Sequence, residues 1–430
     1  MAFQKICVLG LGYIGLPTAC TFATHGLQVI GVDVNPEVVE TIKNGGLHIH
    51  EPGLKQLVDQ AVASGNFQVS LQPQPADAFL ITVPTPFTSE KQADLSYVIS
   101  AAESILPHLK PGSLVILEST SPPRTTVDVV APILARSGLR PGHDFFLAYS
   151  PERVLPGKII EELVQNARVV GGVDPGSSQA GRDLYLNFVQ GEIYLTDATT
   201  AEMVKLMENT YRDVNIALAN EFSHLAGQQG VDIWEAVNLA NRHPRVNILN
   251  PGPGVGGHCI SVDPWFLVET DPQLAPLIST ARQVNDQQPQ FVVDLVQHAL
   301  GSLSGRRIAA LGLAYKPDVD DLRESPAIAV AQGLAAAGAE ISTYEPFKPN
   351  AQVPGIQAAQ NLADAIQNAD LLLLLVGHTE FKNLDPQVIA SQTTARIVVD
   401  TVNGWDAASW RSAGFQVVRL GDGAHKPVPA

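Results

Sequence analysis

The feature that most limits the fold of this chain is a glycine-rich turn placed directly after its first apolar segment. Lys5–Leu9 is an apolar run of strand length, and Gly10, Gly12 and Gly15 follow it with the spacing GxGxxG. At such a turn the first glycine permits a tight bend, the second lets the backbone approach a pyrophosphate, and the third allows close packing of helix on strand. The sequence therefore predicts a doubly wound α/β domain that opens with a dinucleotide-binding βαβ unit.

An acidic residue after the second apolar segment indicates which dinucleotide binds. Asp33 directly follows the run Gln28–Val32 and lies about 20 residues beyond the glycines, the offset expected for an acid that binds the ribose. A carboxylate there accepts a hydrogen bond from a ribose 2′-hydroxyl and repels a 2′-phosphate. No arginine follows Asp33 immediately, so NAD is favoured over NADP as the cofactor.

The remaining pattern divides the chain into three predicted domains. Residues 1–196 alternate strands with helices, which is typical of a parallel sheet. Residues 197–300 are helical, and the same alternation returns over residues 301–430. We expect two Rossmann-like doubly wound domains joined by a central helical domain, with further strands at Ala78–Val83, Leu114–Glu118, Phe145–Tyr149, Arg307–Leu311, Glu340–Tyr344, Ala369–Leu375 and Ile397–Asp400 and a helix at Pro326–Ala337.

The central part is predicted to begin with a long helix. Periodicity without proline or glycine runs over Ala201–Ala226, and helical character continues towards Asn241. Thr199 followed by Glu202 has the spacing of a capping box, which would start the helix. Such a helix either joins domains, forms a dimer seam or lies in a core.

Composition excludes several classes of partner. Lys and Arg number 27 against 43 Asp and Glu, a net charge of −16. This balance argues against nucleic-acid binding and binding to anionic membranes, which need a large basic face, although it leaves room for a small anionic ligand. No run reaches the roughly 18 apolar residues that span a bilayer. Three scattered cysteines without a CxxC pair favour a reducing, cytoplasmic setting and argue against a metal site.

One of the three cysteines has a setting that predicts chemistry. Cys259 ends the segment PGPGVGGHC, in which four glycines permit close backbone approach and expose the thiol. Cys7 and Cys20 fall in the first strand and first helix and are expected in the core. His258 is expected to be structural, because adjacent side chains usually diverge.

Two further groups of polar residues are candidates for ligand binding. Lys205, Asn209 and Arg212 recur at i, i+4 and i+7 and share a helix face. Such a stripe is either a solvated surface or a cleft-facing set that donates to a developing oxyanion. Near the top of the second sheet, Gly312 is followed by a further set that is either solvated or binds a nucleotide: Tyr315, Lys316 and Arg323.

Over nearly its whole length the chain resembles the UDP-glucose/GDP-mannose dehydrogenase family. The resemblance rests on the segments GLGYIGLP, VPTP, LESTSPP, YSPERVLPGK, TAEMVKLMENTYRDVNIALANE, LANRHPRVNI, GPGVGGHCISVDPWF and DLRESP. HPRVN and GGHCISVDPWF are similar to the branch that acts on UDP-N-acetylhexosamines. The resemblance implies a four-electron, NAD-dependent oxidation of the C6 hydroxymethyl of UDP-N-acetyl-D-mannosamine to the uronate, for bacterial surface polysaccharides.

The resemblance also implies roles for individual residues. Cys259 would form a thiohemiacetal and then a thioester, Lys205 and Asn209 would bind the C6 oxygen, with Lys205 as proton donor and acceptor, and Asp263 would support them. Glu152 and Thr120 would manage the hydrolytic water. The implied NAD contacts, besides the glycines, are Tyr13, Ile14, Asp33, Thr85, Thr120 and Arg323; the implied substrate contacts are Arg153, Val154, Lys205, Asn209, Arg212, His243, Arg245, Gly256, Tyr315 and Lys316.

The resemblance also implies an oligomeric state, and the sequence departs from the family pattern at one position. Arg245 is expected to reach the site of a neighbouring subunit, which implies a homodimer or higher homo-oligomer. Ser150 stands in YSPERV where close relatives are expected to have cysteine. The alternatives are UDP-N-acetylglucosamine as the substrate, a two-electron hydroxyacid-type dehydrogenase in which Cys259 is merely packed, and a nucleotide-sugar-binding protein without catalysis.

Overall fold

A computed structural model describes residues 3–88 and 90–423 of the chain. The chain forms two compact units. The first unit extends through Glu208 and includes Trp265–Pro272, and the second contains Asn209–Pro264 and the chain from Gln273 onward. The boundaries of the three predicted domains remain a prediction, because the bounds of the two compact units do not coincide with the positions at which the sequence pattern changes.

The elements are numbered in chain order. The strands are β1 (Lys5–Leu9), β2 (Gln28–Val32), β3 (Phe67–Ser70), β4 (Ala78–Ile81), β5 (Leu114–Leu117), β6 (Phe146–Tyr149), β7 (Arg168–Gly172), β8 (Ile193–Asp197), β9 (Arg307–Leu311), β10 (Glu340–Tyr344), β11 (Gln357–Ala358), β12 (Leu371–Leu374), β13 (Ile397–Asp400) and β14 (Gln416–Arg419). The helices are α1 (Gly15–Thr24), α2 (Pro36–Lys43), α3 (Leu54–Ala63), α4 (Ser96–Ile105), α5 (Ala131–Ala135), α6 (Ile159–Gln165), α7 (Pro175–Tyr185), α8 (Ala198–Gln229), α9 (Ile233–Ala240), α10 (Asp263–Thr270), α11 (Pro276–Leu300), α12 (Pro326–Ala336), α13 (Leu362–Ile366), α14 (Thr379–Lys382), α15 (Pro386–Gln392) and α16 (Ala407–Ser412).

The first unit is built on an eight-stranded sheet. Its order is β3-β2-β1-β4-β5-β6-β7-β8, and every pair is parallel except β6 with β7. Apolar side chains on both faces are buried under helices, which explains why β1 and β4 to β6 read as continuous apolar runs. The predicted doubly wound fold is confirmed. The sequence pattern missed β3, β7 and β8, and in β8 the apolar side chains of Tyr194 and Leu195 are exposed.

The second unit carries a six-stranded parallel sheet. Its order is β11-β10-β9-β12-β13-β14, which corresponds strand by strand to the order β3-β2-β1-β4-β5-β6 in the first unit. The turns after the first strands also correspond, since Gly312 N donates to Tyr344 O at 3.0 Å and Gly10 N to Val32 O at 2.8 Å. The second predicted Rossmann-like domain is therefore confirmed, although β11 and β14 were not predicted.

Helix α8 is 32 residues long and begins differently from the prediction. The capping box of Thr199 and Glu202 is wrong. β8 runs directly into the helix, so Asp197 precedes the first turn, and its carboxylate accepts from Thr200 N at 2.9 Å. Glu202 is instead buried and bonds a distant loop. Among the residues described, no helix combines the length and apolar content that a membrane span needs.

Candidate active site

The glycine-rich turn of the first unit leaves open space where a dinucleotide would lie. A Cβ added to Gly15 would lie 1.8 Å from Gly10 O, and one added to Gly10, whose φ is 96°, would lie 2.9 Å from Thr82 O. Both positions therefore require glycine for steric reasons. A Cβ at Gly12 would meet nothing within 4 Å. Because Gly12 and Ile14 lie just before the N-terminus of α1, the turn offers room and N–H groups to a pyrophosphate.

Three other residues predicted to bind the cofactor lie at the carboxyl ends of strands in the same sheet. Asp33 Oδ2 accepts from Leu11 N at 3.0 Å, which ties the carboxylate to the glycine-rich turn. Thr85 Oγ1 donates to the carbonyl oxygen of Thr120. The structure thus brings Thr85 and Thr120 together, at the edge where ligands bind to parallel sheets.

Lys205 and Glu152 meet in the first unit. Lys205 Nζ donates to Glu152 O at 2.7 Å, and the lysine is 6% exposed. The Glu152 carboxylate accepts from Val154 N. Burial raises the pKa of Glu152, while the charge of Lys205 opposes that rise. A carboxylate with a raised pKa accepts a proton more readily, as a general base must.

A buried polar cluster near Glu152 was not predicted from the sequence. Arg168 Nη1 donates to Glu118 Oε1 at 3.3 Å and to Ser150 Oγ at 3.4 Å, and Tyr185 Oη donates to the same Glu118 oxygen. Burial raises the pKa of Glu118, against the opposing charge of Arg168. Ser150, the departure noted in YSPERV, therefore belongs to this cluster. The sequence held one signal for this cluster: Glu118 is a charged residue directly after the apolar run Val115–Leu117.

Arg153, a predicted substrate contact, is engaged within the first unit. Its Nη2 lies 2.6 Å from Glu208 Oε1, and its Nη1 donates to Ala167 O at 3.0 Å. The side chain is about one-third exposed, and these bonds orient its guanidinium. Its contact with a substrate remains a prediction.

The second unit places Cys259 beside a bonded pair of polar residues. Asp263 N donates to Cys259 O at 2.8 Å, so the cysteine lies at the turn that starts α10. Asn209 Nδ2 donates to Asp263 Oδ2 at 2.5 Å, and both side chains are buried. The structure therefore joins three predicted catalytic residues: Cys259, Asp263 and Asn209.

The three cysteines differ in their surroundings. Cys7 and Cys20 are fully buried, and burial raises the pKa of Cys7 to about 11 and that of Cys20 to about 12. These thiols are unreactive because the thiolate is the nucleophilic form. Cys259 is partly exposed. It is the cysteine with access to a ligand.

Tyr315 covers the glycines that precede Cys259. A Cβ on Gly257, whose φ is 87°, would lie 2.8 Å from Tyr315 Cε2, and one on Gly256 would lie 2.9 Å from Tyr315 Cβ. Burial, followed by the charges of Asp321 and Cys259, raises the pKa of Tyr315 to about 12. The glycines thus allow an aromatic ring to pack directly on the backbone beside the thiol. Lys316 follows it and is partly exposed.

His258 is expected to be structural, and the structure adds the partners that the sequence did not reveal. Arg323 Nη2 lies 3.1 Å from His258 Nδ1 and donates to Asp321 Oδ2 at 2.6 Å. Gly257 N also donates to Arg323 O at 3.0 Å. The loop with Arg323, a predicted NAD contact, therefore braces the loop with Cys259 through backbone and side chain.

The remaining predicted substrate residues are exposed. Arg212 follows Tyr211 on α8, and His243 and Arg245 lie in a loop beyond α9. Asn241 shapes this loop, since its Nδ2 donates to Ile248 O at 2.9 Å and its Oδ1 accepts from Ile248 N at 2.7 Å. The described contacts do not bring His243 or Arg245 to Cys259. Within the described residues, no group of three or more His, Cys, Asp or Glu could hold a metal ion.

Comparison with known proteins gives several extensive matches. A protein of Yersinia pestis named UDP-N-acetyl-D-mannosamine dehydrogenase is 50% identical over 428 residues, covering 94% of this chain and 100% of that protein. An NDP-N-acetyl-D-galactosaminuronic acid dehydrogenase of Ralstonia nicotianae is 48% identical over 416 residues, covering 94% and 97%. The solved structure of the UDP-D-ManNAc dehydrogenase from Pyrococcus horikoshii superposes with a TM-score of 0.91 at 41% identity, covering 97% and 99%.

Family models match three consecutive stretches of the chain. The NAD-binding domain of the UDP-glucose/GDP-mannose dehydrogenase family matches residues 4–189, its central domain residues 199–287 and its UDP-binding domain residues 309–407. The expected NAD cofactor and the expected class, an NAD-dependent UDP-sugar dehydrogenase, are thereby confirmed. The chain belongs to the UDP-glucose/GDP-mannose dehydrogenase family.

Proposed function

We propose that this protein oxidises UDP-N-acetyl-D-mannosamine at C6 to UDP-N-acetyl-D-mannosaminuronate, a precursor for bacterial surface polysaccharides. Each sugar would consume two molecules of NAD⁺ and one of water. The observation that carries the proposal is the setting of Cys259: a partly exposed cysteine after a glycine-rich loop, whose backbone carbonyl accepts from the N–H of Asp263 while the Asp263 carboxylate accepts from Asn209. A second oxidation at the same carbon needs such a nucleophile, because an aldehyde offers no good hydride until a group adds to it.

The first oxidation would depend on Lys205 and Asn209. They lie one turn apart on α8 and therefore on one face of the helix. In the proposed step the C6 hydroxyl proton passes to Lys205 Nζ in its amine form, and Asn209 donates to the same oxygen. NAD⁺, when bound, accepts the hydride that leaves C6. The bond between Asn209 and Asp263 orients the amide for this donation.

The second oxidation would pass through Cys259. The Cys259 thiolate adds to the aldehyde carbon, and the ammonium of Lys205 returns its proton to the oxygen, giving a thiohemiacetal and the amine of Lys205. Loss of the second hydride from C6, with the hydroxyl proton again taken by Lys205, leaves a thioester. From this addition until hydrolysis the C6 carbon stays bonded to the sulfur, so the aldehyde is not released once it has been captured.

Hydrolysis of the thioester would depend on Glu152. Its raised pKa favours uptake of a proton from water, and the resulting hydroxide attacks C6 while the thiolate leaves. Thr120 would orient the water. Its carbonyl accepts from Thr85 Oγ1, which links the water-binding position to a predicted NAD contact. The products are the uronate, the regenerated Cys259 thiolate, two NADH and three protons.

The identity of the sugar can be tested directly. The HPRVN and GGHCISVDPWF segments favour an N-acetylhexosamine, and the relatives' names include more than one such sugar. The purified protein should be incubated with NAD⁺ and, in turn, UDP-N-acetyl-D-mannosamine, UDP-N-acetylglucosamine and UDP-glucose, while NADH absorbance is followed. The highest kcat/KM is expected with the mannosamine derivative. A higher value with UDP-N-acetylglucosamine would assign the enzyme to that epimer.

We further propose a homodimer formed through α8. Apolar side chains spaced by four or seven residues share one helix face and are exposed: Met203 39%, Met207 56%, Tyr211 65%, Leu218 44% and Leu225 51%. An exposed apolar stripe of this length is typical of an interface between subunits. Arg245 would then reach the neighbouring subunit's substrate. Light scattering should give twice the chain's mass of 45.8 kDa, and Leu218→Glu should lower that mass.

A further inference from the structure

Two buried amide side chains hold the first part of the loop that carries Cys259. Asn220 lies on α8 and Gln288 on α11, and neither has exposed surface. Asn220 Oδ1 accepts from Gly252 N at 2.9 Å, and Gln288 Nε2 donates to Gly252 O at 2.9 Å. Both backbone polar groups of one loop residue are therefore bonded to buried side chains.

Each of these amides is itself held by further bonds. Asn220 Nδ2 donates to Asn285 Oδ1 at 2.9 Å, and Asn285 Nδ2 donates to Asp213 Oδ1 at 2.8 Å. His224 Nε2 lies 2.8 Å from Gln288 Oε1. An amide oxygen only accepts, so this nitrogen carries the hydrogen. Buried side chains that are bonded to one another in this way are held more rigidly than side chains at the surface.

Helix α8 also holds the far end of the same loop. Asn209 bonds Asp263, whose N–H bonds Cys259 O. Asn209 and Asn220 are 11 positions apart in the sequence, which is about three turns at 3.6 residues each. They therefore lie on the same face of α8, and two asparagines on one helix fix the loop on either side of Cys259.

Between these two ends the loop is confined by close packing. A Cβ on Gly254 would lie 2.9 Å from Pro326 Cβ and 3.3 Å from Asn285 O, and one on Gly256 would lie 2.5 Å from Glu324 O. The glycines permit this approach, but they also leave the backbone the greatest freedom when it is not held. A loop of this composition needs anchors outside itself.

We propose that Asn220 and Gln288 are positioning residues that fix the Cys259 loop in the one conformation that presents the thiol to the aldehyde. This inference rests on the proposed role of Cys259 as nucleophile. In the proposed mechanism Cys259 acts only after the first oxidation, and neither amide contacts the reacting atoms. Loss of either amide should therefore slow the second oxidation and leave the first largely intact. A merely structural role in packing α8 on α11 would instead lower both oxidations together with stability.

Three variants separate these roles. Gln288→Met keeps the volume and removes both bonds of the amide. His224→Phe keeps the stacking on Phe291, whose ring centroid is 3.9 Å away, and removes the support of Gln288. Thr393→Val is the control for stability, because it deletes a buried hydroxyl that donates to Ile366 O at 2.6 Å near β13. If Gln288→Met does not fold, His224→Phe carries the test.

Hydrogen–deuterium exchange of peptides spanning residues 252–263 measures the anchoring without any substrate. Exchange should rise about tenfold in Gln288→Met, since a buried hydrogen bond is lost, and less in His224→Phe. Thr393→Val should leave these amides unchanged. Unaltered exchange in both loop variants overturns the anchoring role whether or not the protein oxidises a UDP-sugar.

Product analysis with UDP-N-acetyl-D-mannosamine and NAD⁺ measures the catalytic consequence. With hydroxylamine present to trap aldehyde, the second oxidation should slow by about 10- to 100-fold in Gln288→Met. NADH per sugar should then fall from two towards one, with the oxime as product and little change in KM. Faster exchange with two NADH and no oxime overturns the positioning role. A wild-type protein that reduces no NAD⁺ overturns the proposed function, and the exchange data still decide the anchoring.

Discussion

The carboxyl group of Glu202 should make the stability of this protein depend on pH. Glu202 lies on α8 without exposed surface, and it accepts from Thr126 N at 2.7 Å, Thr126 Oγ1 at 2.6 Å and Arg124 N at 2.5 Å. Burial outweighs these hydrogen bonds and raises the pKa of Glu202 to about 7 from 4.5. The bonded loop follows Thr120, so the same group supports a predicted part of the active site.

The size of the effect follows from proton linkage. Above pH 4.5 the unfolded chain loses the proton of Glu202, while the folded chain retains it until about pH 7. The folded state therefore binds more protons in this window, and the free energy of unfolding falls as pH rises. The contribution of Glu202 to the free energy of unfolding is fully present below the unfolded pKa of 4.5. It is lost as the pH rises through the folded pKa of about 7, and the total loss is about 3 kcal/mol. About 2 kcal/mol of this falls between pH 5.5 and pH 8.

Urea unfolding followed by circular dichroism at pH 5.5 and pH 8 measures this difference. In Glu202→Gln the loss of stability between the two pH values should shrink by about 2 kcal/mol, because the amide does not titrate. Glu103→Gln is the matched control: this carboxylate is 46% exposed and pairs with Arg136. An unchanged pH dependence in Glu202→Gln would refute the reasoning.

Four other single substitutions have expected outcomes. Asp213→Ala removes the 2.5 Å partner of the buried Arg282, which keeps its contact with Asp286, and it also removes an acceptor of Asn285 Nδ2. Urea unfolding should therefore show a loss of about 3 kcal/mol. Gly12→Ala should fold normally, as circular dichroism would show, and should raise KM for NAD⁺ about tenfold in the NADH assay by crowding the pyrophosphate. Gly15→Ala should not fold, because its Cβ would lie 1.8 Å from a carbonyl oxygen, and circular dichroism measures this loss. Asp33→Ala should narrow the preference for NAD⁺ over NADP⁺ about tenfold in kcat/KM, and an unchanged ratio would exclude a role in cofactor choice.

Local patterns made part of this fold predictable. β1, β2, β9, β10 and β13 have the predicted bounds, because buried parallel strands are short apolar runs ended by glycine or polar turns. The glycine spacing identified the cofactor turn because the bend and the close contact of Gly15 with Gly10 O lie within six residues, although Gly10 also packs closely on the distant Thr82 O. β8 escaped prediction, since its apolar side chains are exposed and follow no periodic pattern.

Contacts between distant parts of the chain account for what was missed. The capping box failed because Glu202 bonds Thr126, 76 positions away, and no local pattern reports such a partner. Glu118 bonds Arg168 over 50 positions. The buried amide of Gln288 bonds Gly252 over 36. In the sequence these polar residues lie within helical or apolar segments, and only the folded structure shows which distant groups they bond.

The central claim is that Cys259 carries the second oxidation, and the number of NADH formed per UDP-N-acetyl-D-mannosamine tests it most directly. With limiting sugar, excess NAD⁺ and hydroxylamine, the wild-type protein should form two NADH, with the uronate or, where hydroxylamine intercepts the thioester, its hydroxamate as the product. Cys259→Ala should form at most one, with the aldehyde trapped as its oxime, because no thiohemiacetal can form. Two NADH and free uronate from Cys259→Ala, or one NADH from the wild-type protein, would contradict the account.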